Sequence, residues 1–337
     1  MTPWVAMLAL GGLLVAACSA GAGSSGPAGG TPATTSAPGA PGSAACVAAP
    51  TPPADQEGWT TAPSEPSVFP VIVNSSGSLT CGENRLVFTF LDAENRPVGR
   101  PDRGASVALY NLGRDGAEPT GSAVGSFVWG IEGERGFYVA SVTFAEAGEW
   151  GAEFTTTAAD GSPEKIRMTF EVATSTPVVR VGDPAPASET PTAASAGGDL
   201  ARISTDPSPD PAFYERSVKE ALAGGEPFVL VFATPKFCAS AQCGPTLDRV
   251  KPLAAEFAEV RFINVEPYEL TFLDGGLQPV LDANGGLVAT GTVLDWGILS
   301  EPWVFVVGRD GVVTGSFEGV VGTDELRAAV AAVAAVR

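Results

Sequence analysis

Residues 228–233 read Phe-Val-Leu-Val-Phe-Ala, an unbroken apolar run with no polar alternation. Its strand-forming Val229, Val231 and Phe232 and its lack of a wet face predict a central strand covered on both sides. This run constrains the fold most, because such a strand belongs to an α/β layer rather than to a half-solvated sheet. It delivers two cysteines, Cys238 and Cys243, to its carboxyl end.

On a regular α-helix an offset of five residues would set two Cα atoms roughly 8 to 9 Å apart, beyond disulfide reach. If the pair closes, residues 238–242 must therefore be loop. Gly244 and Pro245 then mark a helix start, with the proline at the first helical position. Cys243 is expected beside the free N–H groups of that helix, which stabilise a thiolate and lower its pKa. Lys236 adds a positive charge two residues before Cys238.

Strand, cysteine loop and helix together resemble the active-site segment of the thioredoxin-like superfamily, and the likeness runs over roughly residues 177–337. Val181-Gly182-Asp183-Pro184-Ala185-Pro186 resembles the opening of redoxins of the TlpA and peroxiredoxin type. Pro252 matches the proline within the helix after the cysteines. Glu301-Pro302-Trp303-Val304-Phe305 resembles the cis-proline strand that faces them. The resemblance implies a thioredoxin-like α/β fold with Cys238 and Cys243 as exchanging sulfurs, and Lys236, Pro245, Glu301 and Pro302 in support. The chain departs from the family in spacing its cysteines CxxxxC rather than CxxC, and in carrying Phe237 where a tryptophan is usual. Laid instead on the family's CGPC, Cys243-Gly244-Pro245-Thr246 has threonine at the resolving position, and Cys238 would have to resolve.

Lys and Arg number 19 against 38 Asp and Glu. An acidic surface of this kind argues against nucleic acid and against anionic lipid head groups as partners. The chain has no histidine, which removes histidine triads, imidazole acid–base catalysis and His-ligated zinc, copper or haem. No cofactor and no metal are expected.

The N-terminus carries an apolar run over residues 5–15, too short for a good membrane span, then Ala16-Ala17-Cys18. Val15-Ala16-Ala17-Cys18 resembles the lipobox of bacterial lipoproteins. That resemblance implies a signal peptide over residues 1–17, a lipid on Cys18, and residence on the extracytoplasmic face of the cell membrane. One departure is that Met1 to Trp4 hold no Lys or Arg. Residues 18–66 are rich in Gly, Ala, Pro, Ser and Thr and are expected as a disordered tether of roughly 40 Å end-to-end span. With Cys18 set aside, four cysteines remain, an even number in an exported chain that suggests two bridges. Pairing by domain gives Cys46 with Cys81, stapling the tether to the first domain, and Cys238 with Cys243.

Residues 67–174 break into short segments divided by Gly, Pro, Asn and Asp. Strands are predicted over 68–73, 85–91, 106–112, 123–131, 137–144, 149–155 and 165–172, which implies an all-β, immunoglobulin-like sandwich. Ala147-Gly148-Glu149-Trp150 loosely resembles a turn of the FixH/YtkA and CopC-type sandwiches. The copper binding that this likeness would imply lacks ligands, since no histidine is present and Met168 is the one methionine beyond the signal. Phe127, Trp129, Phe137, Tyr138, Trp150 and Phe154 are expected chiefly as core.

A second Pro/Ser/Ala-rich passage, residues 175–210, is expected as a linker to the domain of residues 211–337. There a helix is predicted over 211–223 and a strand over 260–265. An insertion is expected over 267–292, with a turn at Asp282 to Gly286 between short strands, and a helical turn over 293–298. A hairpin turns at Gly308-Arg309-Asp310-Gly311, and Thr323 caps a closing helix over 324–336. A third class, copper delivery like that of the SCO-type proteins, uses a CxxxC pair plus a histidine that this chain lacks and ranks low, which leaves two functions in front. One is a membrane-tethered thiol–disulfide oxidoreductase acting on extracytoplasmic protein thiols and disulfides, with Glu301 either a proton acceptor near the sulfurs or a solvated loop charge. The other is a cell-surface binding or scaffold protein in which Cys238–Cys243 is a staple.

Overall fold

Alternation of buried and exposed side chains organises the first half of the structure, a computed structural model that describes residues 46–53, 56, 58–59, 66–114, 116–158 and 161–336. Eight strands are found there: β1 (Phe69–Ile72), β2 (Gly82–Leu91), β3 (Ala105–Asn111), β4 (Gly121–Val124), β5 (Ser126–Ile131), β6 (Arg135–Phe144), β7 (Gly148–Thr157) and β8 (Pro163–Val172). They form two four-stranded sheets, ordered β1-β2-β6-β5 and β4-β3-β7-β8, with every pairing antiparallel. In β6, Tyr138, Ala140, Val142 and Phe144 point inward, and they meet Val107, Leu109, Trp150 and Phe154 of the other sheet in one shared core. Phe88 packs between Tyr138 and Phe154, at centroid distances of 5.5 and 4.8 Å. This half is a β-sandwich, as the alternation predicts.

The predicted strand over 123–131 is two strands, because Gly125 breaks it. A Cβ at Gly125 would lie 2.9 Å from the Tyr138 Cβ. The chain therefore crosses there from β4, paired with β3, to β5, paired with β6. Part of the expected tether is also ordered. Cys46 is bonded to Cys81 and Ala48 bridges Ala147. Trp59 packs on Tyr110 at 4.8 Å, beneath the Arg167 guanidinium. One large aromatic ring and one cross-link supply the burial that the composition of the tether lacks. The expected signal peptide over residues 1–17 and the expected lipid site Cys18 lie outside the described residues.

The second half is built around β9 (Phe228–Phe232), buried at every position. The sheet order is β10 (Arg261–Val265), β9, β13 (Trp303–Val307), β14 (Val313–Glu318). β10 runs parallel to β9 across a crossover that contains α2 (Cys243–Glu256), while β13 and β14 are antiparallel. Val229 and Val231 face α2 and α4 (Thr323–Ala334), among Leu247, Val250, Leu253 and Val330. Phe228, Leu230 and Phe232 face the other way, onto α1 (Val218–Ala223) and α3 (Gly291–Trp296) through Val218 and Trp296. Both faces of the apolar run are thus covered.

Four local expectations are corrected. The helix over 211–223 is a 3-10 turn at Pro211–Tyr214 followed by α1, because Ser217 and Glu220 close a capping box that starts a new helix. Residues 175–210 are packed rather than free: Val178 is buried, and Asp183 O and Gly311 O accept from Val313 N and Ala185 N. α4 starts at Thr323 with Gly322 as its cap, whose N–H donates to Glu325. In the insertion, β11 (Leu270–Leu273) pairs with β12 (Gly276–Pro279), while the Asp282–Gly286 turn carries only the Leu281–Leu287 bridge.

The two halves form one compact unit. Arg85 of β2 reaches Glu325 of α4 with two hydrogen bonds, at 2.7 and 2.8 Å. Glu318 of β14 accepts from Asn74 Nδ2 and Ser75 N. Arg249 of α2 donates to the Trp129 and Gly130 carbonyls of β5.

Candidate functional site

Beyond β9 the chain remains buried through Thr234, then turns outward, and Cys238 is partly exposed while Cys243 is fully buried. The two are bonded, with their Cα atoms 6.1 Å apart. Residues 238–242 achieve this as a loop in which Ala241 adopts φ 59°, a left-handed conformation. α2 then begins at Cys243 itself, so Pro245 occupies the third helical position rather than the first. All N–H groups of the first turn lack helical partners, so proline costs no hydrogen bond there either.

Cys243 opens the first turn of α2, among its free N–H groups as expected, and the helix start also reaches Cys238. The backbone N–H of Cys243 points at Cys238 Sγ, 3.3 Å away. Ser240 Oγ lies 3.4 Å from the same sulfur and donates to the Glu301 carbonyl at 3.1 Å. The partly exposed sulfur is therefore the one at which a first-turn N–H of the helix points, an arrangement that favours its thiolate once the pair is reduced.

The loop before β13 closes the other side. The Glu301–Pro302 peptide bond is cis and both residues are buried, Glu301 at 7% exposure. Burial excludes the solvated loop charge. Ala239 N donates to Glu301 Oε1 at 3.0 Å and the Tyr268 hydroxyl to Oε2 at 2.5 Å. Burial, then the hydrogen bond to Glu301 and its charge, push the Tyr268 hydroxyl far above its ordinary pKa, so it stays a donor. The sulfurs of Cys238 and Cys243 and the Glu301 carboxylate all lie within 4.8 Å of one another.

Lys236 turns elsewhere. Its ammonium donates to the Leu277 carbonyl at 2.7 Å and lies over the Phe237 ring. Sequence reasoning missed Tyr268 and Ser240. Tyr268 is 33 residues from Glu301, in a segment without periodicity, and no local signal marks it. Ser240 is polar inside a cysteine loop, which is a signal that could have been used.

The sandwich borders this loop. Arg135 of β6 donates to the Ser240 carbonyl at 3.1 Å. Gly130 of β5 lies so near Gln242 that a Cβ would stand 2.5 Å from its Oε1. Burial lowers the pKa of Arg249, which nevertheless bonds two β5 carbonyls. Of the aromatic residues singled out, Tyr138, Trp150 and Phe154 are core, whereas Phe127, Trp129 and Phe137 are only half-buried.

No protein-family model matches the chain, and no curated protein matches it. Solved structures similar to part of it include a DUF4426 family protein from Pseudomonas aeruginosa PAO1, at 13% identity, 31% of this chain, 87% of that one and a TM-score of 0.22. CopC from Methylosinus trichosporium OB3b is similar at 14% identity, 31% of this chain, 93% of that one and a TM-score of 0.20. Scores this low assign the chain no activity.

Proposed function

We propose that the chain is a membrane-anchored, extracytoplasmic thiol–disulfide oxidoreductase, with a thioredoxin-like domain carried behind an immunoglobulin-like sandwich. The observation that carries this reading is the asymmetry of the pair: Cys238 is partly exposed and accepts the Cys243 N–H at a helix start, while Cys243 is fully buried. One sulfur is open to a partner and the other is held behind it. A substrate thiolate attacks Cys238 Sγ, the Cys238–Cys243 bond breaks, and its electron pair leaves on Cys243. A second substrate thiolate then attacks the substrate sulfur of the mixed disulfide. Cys238 leaves as thiolate, the substrate is oxidised to a disulfide, and the pair is reduced to a dithiol. The reverse sequence reduces a substrate disulfide, and the partner's potential chooses the direction.

Glu301 is a positioning residue in this scheme, fixing Ala239 N–H and so the loop that carries Cys238. Cys18 supplies the lipid anchor and the tether supplies reach. A specific observation favours a second reading, a scaffold lipoprotein with a structural bridge: the loop is pinned from two sides, by Arg135 at Ser240 and by Glu301 at Ala239. Equilibration with glutathione separates the two. A Cys238–Cys243 potential within about −270 to −120 mV is that of an exchange catalyst, and one below about −300 mV is that of a staple. For the anchor, Cys18→Ser is expected to release the protein from membranes, and unchanged membrane retention would remove the lipid from the account.

A further inference from the structure

We propose that reduction of the cysteine pair opens a three-donor site for a borderline-soft divalent cation, Zn²⁺, formed by the Cys238 and Cys243 thiolates and the Glu301 carboxylate. The proposal uses the same two cysteines as the reading above but does not depend on their exchanging with a partner. Two electrons and two protons from a dithiol or phosphine reductant convert the bridge to two thiols. Binding then releases both thiol protons to solvent.

The geometry is close to what zinc needs. Tetrahedral zinc with Zn–S near 2.3 Å and Zn–O near 2.1 Å sets sulfurs about 3.8 Å apart and sulfur and oxygen about 3.5 Å apart. The three ligand atoms already lie within 4.8 Å of one another. Opening the bridge moves the sulfurs apart, and the carboxylate closes in by about an ångström.

The surroundings of Glu301 point the same way. It is 7% exposed, and among the described residues no Lys or Arg forms an ion pair with it. Its oxygens are instead oriented by one neutral donor each, Ala239 N–H and Tyr268 O–H. A ligating carboxylate needs such an outer shell to hold its direction. Cys238 stands at the partly exposed side, so the fourth position opens toward solvent. Two thiolates and a carboxylate are too soft for Mg²⁺ or Ca²⁺, and Cu⁺ would be served by the thiolates alone. Dependence on Glu301 is thus the mark of zinc.

The test is a zinc titration of the full chain, reduced by a phosphine under anaerobic conditions, against a chromophoric chelator, with Co²⁺ as a spectroscopic substitute. One Zn²⁺ per chain is expected, lost in Cys238→Ser and Cys243→Ser. Affinity is expected to fall at least tenfold in Glu301→Gln and about tenfold in Tyr268→Phe, whose hydroxyl only orients the ligand. Cu⁺ affinity is expected to be unchanged by Glu301→Gln. Should Glu301→Gln fail to fold, Tyr268→Phe carries the test alone. Wild-type zinc affinity in the folded variant, or the absence of one-to-one binding in the wild type, would overturn the proposal. Because reduction is imposed chemically, either result stands whatever the potential of the pair proves to be.

Discussion

Graded reduction of the intact chain should open its two bridges in a fixed order, Cys238–Cys243 first. The bridges close loops of very different length, with sequence separations of 5 and 35. By the loop-entropy relation, closing about 6 residues stabilises a fold by about 2 kcal/mol and closing about 36 by about 4 kcal/mol. What a bridge adds to folding, folding returns to the bridge as resistance to reduction. The difference of about 1.6 kcal/mol makes the Cys238–Cys243 potential about 35 mV the less negative for this two-electron couple. The Cys243 N–H directed at Cys238 Sγ adds to the gap, because it stabilises a thiolate on the reduced side. The assay is equilibration across a dithiothreitol series, acid quench, alkylation and peptide mapping of each cysteine. Alkylation of all four at one midpoint, or of Cys46 and Cys81 first, would refute this reasoning.

Two further outcomes follow from the charge and hydrogen-bond pattern. Glu153 is buried in the sandwich against Lys165 and Arg167 at 2.7 and 2.8 Å. Burial raises its pKa, but the hydrogen bonds and charges of those two cations outweigh it and hold the carboxyl below its ordinary value. A depressed carboxylate stabilises the fold above its unfolded pKa and stops doing so as pH falls through its folded pKa. Glu153→Gln should therefore lower the urea midpoint at neutral pH and approach the wild type in acid; a pH-independent gap would contradict this. Arg249→Met keeps the apolar stem but removes the donors to the Trp129 and Gly130 carbonyls. The loss should be about 1 to 2 kcal/mol in urea unfolding, near the lower end for stranded acceptors because Arg249 Nη1 has no partner to lose.

How far the fold could be read depended on whether each cause was local. The apolar run at 228–232 announced a strand covered on both faces, since burial on both sides leaves no polar positions. Gly308 to Gly311 announced its hairpin by turn chemistry alone. Gly125 was harder, because what breaks the strand there is the Tyr138 side chain from another strand. Residues 175–210 looked like a linker by composition, yet their backbone bonds to Val313 and Gly311 hold them, and composition does not report such partners. The candidate site divided in the same way. Cys238, Cys243 and Pro302 carry their chemistry in their type, and spacing showed that the cysteine segment had to be loop. That the helix start serves Cys238 follows from a turn at Ala241 that spacing does not specify. Tyr268 reaches Glu301 only through the folded insertion.

The central claim is that Cys238 is the sulfur a partner protein meets and Cys243 the one that resolves. Its most direct test is trapping in cells or envelope extracts with each single mutant, followed by non-reducing electrophoresis and identification of the bond. The account predicts that Cys243→Ser accumulates mixed disulfides through Cys238, reversed by dithiothreitol, and that Cys238→Ser, with its remaining sulfur buried, accumulates none. Complexes formed through Cys243 in Cys238→Ser, or none in either mutant, would contradict it.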